Sequence, residues 1–195
     1  MALLIQAPRA LLRSWLGRLA ALIACWWTAG LATAAENPAF SEYQLKAVFL
    51  YNFAHFVEWP SQAFPEPHAP LVIGVLGEDP FGRFLDEVVA GEKVNDHSLS
   101  VRRFRRLEEI DRCHVLFVSQ SETDRLGEIF ERLKSRSILI VGESEGFSLR
   151  GGMVRFVTEK NKVRLRINLE AARAAGLIIS SKLLRPAEIV TTQKN

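Results

Sequence analysis

Four groupings of side chains in this 195-residue sequence have types and spacings that bear on chemistry. The first is GEDPFG, Gly77 to Gly82, whose two glycines are spaced as in a phosphate-binding loop. Such a loop needs a Lys and a Ser or Thr directly after the second glycine, to reach phosphate and magnesium. Arg83 and Phe84 stand there instead, and no G-x-G-x-x-G follows. The second grouping is acidic: Glu78, Asp79, Glu122, Glu143 and Glu145. Oxygen ligands of this kind suit a divalent cation, but they lack the spacing of a calcium loop. They equally serve to complement helix dipoles and keep loops soluble. At helix N-termini they repel the phosphates that such ends otherwise attract.

The third grouping is histidine and cysteine. His55, His68, His97 and His114 form no H-x-x-x-H pair. His114 follows Cys113 directly, and a strand would send the two side chains to opposite faces. That spacing does not make a zinc site. C-G-x-C-W is absent, and the spacing G-x-S-x-G occurs once, as Gly142-Glu143-Ser144-Glu145-Gly146. That spacing alone is a weak signal, because a nucleophile also needs a base and an orienting acid, which need not be local in sequence. The fourth grouping, Arg102, Arg103, Arg105 and Arg106 around Phe104, is the one dense basic patch. It suits an anionic partner, a lipid headgroup or a small acidic ligand, because like charges this close call for outside neutralisation. It also suits a solvated strand edge whose long side chains discourage pairing. The aromatic beside it lacks the rest of an RNA-stacking module. The sequence therefore predicts no catalytic residue, no metal and no cofactor.

The elements that must position these groups are readable from periodicity. Tyr43 to Trp59 places Leu45, Val48, Phe49, Phe53 and Phe56 at helical spacing. A second apolar set, Ala47, Leu50, Tyr51, Ala54 and Val57, lies beside the first. Such a helix has no wide wet face. It is either sandwiched in the core or buried against another chain, and its aromatics suit a protein interface. Ser61 to Pro70 carries three prolines and reads as a loop. Leu71 to Leu76, Val115 to Val118 and Ile138 to Val141 read as buried strands, and Leu99 to Phe104 as an alternating one. Asp79 and Pro80 predict the start of a helix carrying Phe81, Phe84, Leu85 and Val88. Ser121 and Asp124 predict a capping box for Leu126, Ile129, Phe130 and Leu133. Met153 to Val157 and Val163 to Ile167 predict an antiparallel hairpin. Asn168 caps a helix from Leu169 to Ala175, and the apolar tail through Leu177 to Val190 packs back.

Buried strands alternating with amphipathic helices imply an α/β class. The predicted architecture is a single domain of Rossmann-like kind. It has a mostly parallel sheet, helices on both faces and the antiparallel hairpin at one edge.

The first 34 residues read differently. Arg9, Arg13 and Arg18 precede an apolar stretch, and Ala32-Thr33-Ala34 closes it before the first acid, Glu36. This is the order of a cleavable secretory signal, and the run is short for a membrane span. The predicted organisation is a signal peptide over 1–34 and one α/β domain over 35–195, placed in the periplasm. A second processing site is Leu22-Ile23-Ala24-Cys25, a lipoprotein-like box. Removing the signal leaves 22 basic against 22 acidic residues. The basic pI thus belongs to the discarded segment, and nucleic acid loses its electrostatic case. Cys113 is then the one remaining cysteine. It is a buried small hydrophobe, or a free thiol able to bridge two subunits.

Several blocks together resemble the YfiR family. They are KAVFLYNFAHFVEWP (46–60), VIGVLGEDPFG (72–82), CHVLFVSQSE (113–122), SILIVGESEGF (137–147) and the long run from Gly151 to Leu184. Their order and spacing carry the resemblance over nearly all of the exported chain. It implies a non-catalytic periplasmic repressor that binds the periplasmic part of an inner-membrane diguanylate cyclase and lowers cyclic di-GMP, with consequences for biofilm and motility. It further implies an antagonist, a peptidoglycan-linked outer-membrane lipoprotein, and an α/β fold that is often dimeric. Contact residues are then expected on the first helix and the corner after it: Phe53, Phe56, Trp59 and Pro60. YfiR carries cysteine pairs that form disulfides; here Cys113 stands alone, with Gly74 and Gly142 in strands where partners would sit. Two other readings stand beside this one. One is a periplasmic small-ligand sensor signalling through a kinase or transporter. The other is a periplasmic hydrolase or metal enzyme using an acid such as Glu143.

Overall fold

The computed structural model describes residues 38–160 and 162–192. The predicted signal segment, its cleavage site and Cys25 lie outside the described residues. Helix α1 runs Pro38–Phe56. Lys46, Ala47, Leu50, Phe53 and Ala54 are buried along it, three or four residues apart as one helix face requires. The chain then turns extended at β1 (Val57–Glu58), ahead of Pro60, which restricts the residue before it to non-helical backbone.

The sheet is built around β2 (Leu71–Leu76), β5 (Val115–Val118) and β6 (Leu139–Gly142), each buried at every position. Continuous burial marks strands covered on both faces. Around them lie β3 (Lys93–Val94), β4 (His97–Phe104), β7 (Val154–Glu159), β8 (Lys162–Asn168) and β10 (Glu188–Val190). The order is β10-β8-β7-β6-β5-β2-β4-β3. From β4 to β7 the strands run parallel. A separate ribbon pairs β1 with β9 (Ile178–Ile179). The remaining helices are α2 (Arg83–Val89), α3 (Leu126–Leu133), α4 (Leu169–Ala174) and α5 (Ser181–Leu184). No helix among the described residues is long and apolar enough to cross a membrane.

Register assigns the faces. Phe117 is level with Val141, and Leu116 and Val118 lie on the opposite side, as alternation demands. Phe117 and Phe156 meet the aromatics of α1 and Phe81, and α1 packs on α2. Those two helices therefore cover one face. Gly142 lies on the other, against Phe147, whose ring packs edge-on to Phe130 of α3. Helices on both faces of a mostly parallel sheet make the α/β class plain.

Several local expectations are corrected. Asp79 does not cap α2; its carboxylate accepts from the Phe81 amide in a turn ahead of the helix, and Gly82 at φ +53° reverses the chain before Arg83. The Ser121–Asp124 box is displaced likewise. Ser119 accepts from the Ser121 amide and opens a 3-10 segment, Gln120–Arg125, before α3 begins. The β7–β8 hairpin forms in the expected place, but β10 adds outside it, parallel to β8, so the tail rather than the hairpin makes that edge. A second hairpin, β3–β4, turns at Asn95-Asp96, both with positive φ, a conformation these short polar residues tolerate.

Asn168 caps α4 as expected, and does more. Its Oδ1 accepts from the Ala171 amide, while Nδ2 donates to the Ser148 carbonyl and to Thr192 Oγ1. It is fully buried. Asn168→Ala removes a cap worth about 1 kcal/mol and strands a buried carbonyl, at about 1–3 kcal/mol. The expected loss is about 2–4 kcal/mol in urea unfolding, and Asn168→Asp, which keeps only the cap, falls between.

Candidate functional site

In a sheet of this kind ligands sit at the carboxyl ends of the strands, where neighbouring connections leave in opposite directions. That point lies between β2 and β5: α2 leads to β4 on one side and α3 to β6 on the other. Here it is closed by the chain itself. Ser121 Oγ accepts from the Glu78 amide at 3.0 Å, and a Cβ on Gly77, at φ +87°, would lie 2.4 Å from that oxygen. The glycine of GEDPFG is needed for close approach of two loops, not for a phosphate. Two of the acids nearby are paired, Asp79 with Arg103 and Glu122 with Arg125. Among the described residues no three His, Cys, Asp or Glu side chains come together to hold a metal.

Glu143, just past β6, joins a buried cluster. Its carboxylate accepts from Tyr43 Oη at 2.9 Å and pairs with the Lys46 ammonium. The Lys46 and Glu143 side chains are 3% and 5% exposed. Lys46 also pairs with Glu42 at 2.5 Å, and Glu42 accepts from Thr158 Oγ1. Burial pushes the Tyr43 hydroxyl up, and its bond to a carboxylate adds to that. Burial opposes ionisation of Glu42, but the bonds from Lys46 and Thr158 outweigh it and hold its carboxyl below the usual range. The buried Lys46–Glu143 pair, with the partly exposed Glu42 on its outer side, ties α1 to the end of β6. The i,i+4 spacing of Glu42 and Lys46 is visible in sequence; Glu143, about a hundred residues on, is not.

The outer side of α1 carries Leu45 and Val48, 45% and 38% exposed. Phe53, expected at an interface, is fully buried and belongs to the core, stacked on Phe156. Phe56, Trp59 and Pro60 are half-buried. Trp59 Nε1 donates to the His114 carbonyl at 3.2 Å. The following loop returns Phe64, which stacks between His97 and His114, with ring centroids 3.9 and 4.5 Å away.

The arginine patch is neutralised from within, which removes the need for an outside anion. Arg103 reaches Asp79 and Asp86, Arg102 pairs with Asp111, and Arg106 pairs with Glu109. Only Arg105 makes no ion pair among the described residues. The Arg103 guanidinium holds the Asp86 carboxyl below its usual range. Arg102 also lies over the Phe104 ring at 5.0 Å. Cys113 is buried, and its thiol donates to the Val115 carbonyl at 3.1 Å. Burial pushes it up to about 12. A side chain closed off and protonated in this way does not offer a bridge between subunits. It faces Gly74, where a Cβ would lie 2.7 Å from Sγ.

The profile of the YfiR/HmsC-like family matches residues 43–188. The chain belongs to this family. A search of curated proteins found no match. Among solved structures, the chain is similar to an ABC domain in complex with L-Trp from Streptococcus pneumonia, at 12% identity and a TM-score of 0.45. The likeness covers 62% of this chain and 55% of that one, so the chain spans little over half the length of that structure. YfiR-like proteins are, at family level, regulatory and connected with periplasmic control of a diguanylate cyclase.

In this YfiR/HmsC-like chain the histidine under the Trp-Pro corner is held neutral. Burial, chiefly, lowers the His114 pKa from 6.5 to about 4, and the charge of His97 adds to this. Its Nδ1 accepts from the Val72 amide at 3.0 Å. Between pH 6.5 and about 4 the unfolded chain binds a proton at this residue and the folded chain does not. Stability therefore falls as pH drops through that window, by an amount on the order of 1–3 kcal/mol. Urea midpoints at pH 7, 5.5 and 4.5 check this. His114→Asn, which keeps an acceptor for Val72, should flatten the dependence.

Proposed function

We propose that this protein is exported to the periplasm, binds the periplasmic part of an inner-membrane diguanylate cyclase and holds it inactive, lowering cyclic di-GMP. The observation that carries this reading is the family match over residues 43–188. A regulator without chemistry acts by preferring one state of its target, and can shift it only by the difference in affinity. The contact surface is the outer side of α1, Leu45 and Val48, continued through Phe56 to the Trp59-Pro60 corner. Large apolar side chains left exposed on a helix otherwise packed into the core support that choice. An outer-membrane lipoprotein competing for this surface would release the cyclase, and a homodimer would present it twice.

The test is cellular cyclic di-GMP in a strain lacking the protein. We expect a rise of several-fold on deletion. Restoration should follow from the full chain, but not from one lacking residues 1–34. A Leu45→Asp/Val48→Asp chain should fold with unchanged stability and fail to restore repression. No rise on deletion, under conditions where the protein is made, would sink the reading.

A further inference from the structure

A cleft of about 400 Å³ opens at the amino ends of β2 and β4, between the corner after α1 and the β3–β4 turn. That volume is within the size range of small-molecule sites. The cleft lies at the opposite end of the sheet from the closed crevice at the carboxyl ends of β2 and β5, and no motif in the sequence marks it. Its floor is apolar, with Val57, Leu71 and Val94 buried. The rings of Trp59 and Phe64 and the polar side chains of Glu58, Ser61, Asn95 and His97 complete the lining.

The charge of this lining has one sign. Glu58 is its one acid, and no Lys or Arg belongs to it. Lys93 stands beside Val94 on β3, where alternation sends it to the other face. Glu58, exposed and across from Ile178 in the β1–β9 ribbon, makes no ion pair and no side-chain hydrogen bond among the described residues. The same holds for the Asn95 amide group and the Ser61 hydroxyl. His97 Nδ1 donates to the Ala69 carbonyl at 2.7 Å, because a carbonyl only accepts, so the neutral ring keeps Nε2 as an acceptor. The lining thus offers acceptors and a negative charge, with no counter-ion of its own. The Trp59 indole N–H is already used, donating to the His114 carbonyl, which leaves its ring for a ligand. Phe64, stacked between His97 and His114, fixes the loop side of the cleft.

We propose that this cleft binds a small organic ammonium, with the Glu58 carboxylate as counter-ion, the Trp59 ring against the cation and the apolar floor under its hydrocarbon part. Indole is the aromatic ring that attracts cations most strongly, and a carboxylate beside it adds the opposite charge. The cleft borders the proposed contact surface at Trp59. Binding there is read on the isolated chain, so its failure and the failure of the repressor reading are told apart.

The experiment uses tryptophan emission from the exported chain, residues 35–195. Trp15, Trp26 and Trp27 precede it, so Trp59 is its one tryptophan, and Asn37–Asn195 form one compact unit. The chain is titrated at pH 7 and constant ionic strength with choline and, separately, with n-butylammonium. Each is compared with an uncharged counterpart, 3,3-dimethylbutanol or butanol. At least one ammonium should change the emission saturably, and its counterpart should not. Glu58→Gln should weaken binding about fivefold, the upper range for an ion pair open to water. Glu66→Gln, at an exposed acid of the same loop outside the lining, should leave binding unchanged. Equal binding of an ammonium and its uncharged counterpart, or no greater loss in Glu58→Gln than in Glu66→Gln, would overturn the cation assignment. No saturable change with either ammonium would overturn the site.

Discussion

Replacing Lys46 by alanine is expected to destabilise the fold by about 3–5 kcal/mol, the range for removing one partner of a buried ion pair. Glu143 would be left ionised in a place where its side chain is 5% exposed, with only the Tyr43 hydroxyl to bond it. The Coulomb attraction of the pair is not the main source of the loss; the uncompensated charge is. Lys46→Met combined with Glu143→Gln should therefore recover most of the stability, because the amide still accepts from Tyr43 and no charge is stranded. Glu42 loses its partner in both variants, but it is 29% exposed and water can serve it. Urea unfolding with unchanged m-values checks both chains. A loss below about 1 kcal/mol for Lys46→Ala would mean that water reaches this cluster and that it does not tie α1 to the sheet. Since α1 carries the proposed contact surface, loosening it should also weaken repression in cells where the protein still accumulates.

A second large effect is expected at Phe147. Its ring is fully buried and clamped between two glycines. A Cβ on Gly142 would lie 2.3 Å from Cε2, and one on Gly152 2.2 Å from Cδ1. Neither glycine has a positive φ, so space and not backbone conformation requires them. Phe147→Ala should cost about 3–5 kcal/mol through the cavity it leaves beside Phe130. Gly142→Ala should cost about 1–3 kcal/mol by overpacking. The two sites touch, so their effects will not add. Gly142→Ala with Phe147→Leu should be less damaging than the sum of the single changes. Additive losses in urea unfolding would show that the ring has room to move elsewhere.

Local periodicity was enough to find most elements. The spacing of Leu126, Ile129, Phe130 and Leu133 marks α3, and the unbroken apolar runs mark β2, β5 and β6. These patterns are legible because a helix repeats every 3.6 residues and a strand every two, so each residue's side is set by near neighbours. Asn168 was found as a cap for the same reason: its partner, the Ala171 amide, is three residues away. The family, too, was readable in the blocks between Lys46 and Leu184, because their order survives where single motifs are weak.

Where the local rule failed, a contact with a distant residue won. Asp79 has the sequence of a helix cap, yet its second oxygen is held by Arg103, and the helix starts later. Leu45 and Phe53 are both large apolar residues in one strongly apolar helix. Only the placing of α1 over Phe156 decides that Phe53 is core while Leu45 meets solvent. The arginine patch looks unneutralised along the chain, because Asp79, Asp86 and Asp111 join it only through the fold. The same holds for the two buried polar sites. Lys46 finds Glu143, 97 residues on, and His114 takes its tautomer from Val72 on a neighbouring strand. The sequence alone therefore determined the elements, the α/β class and the family. Tertiary structure decided which side chains are buried, paired or left without a partner, because burial and pairing depend on what packs against a residue and not on what precedes it.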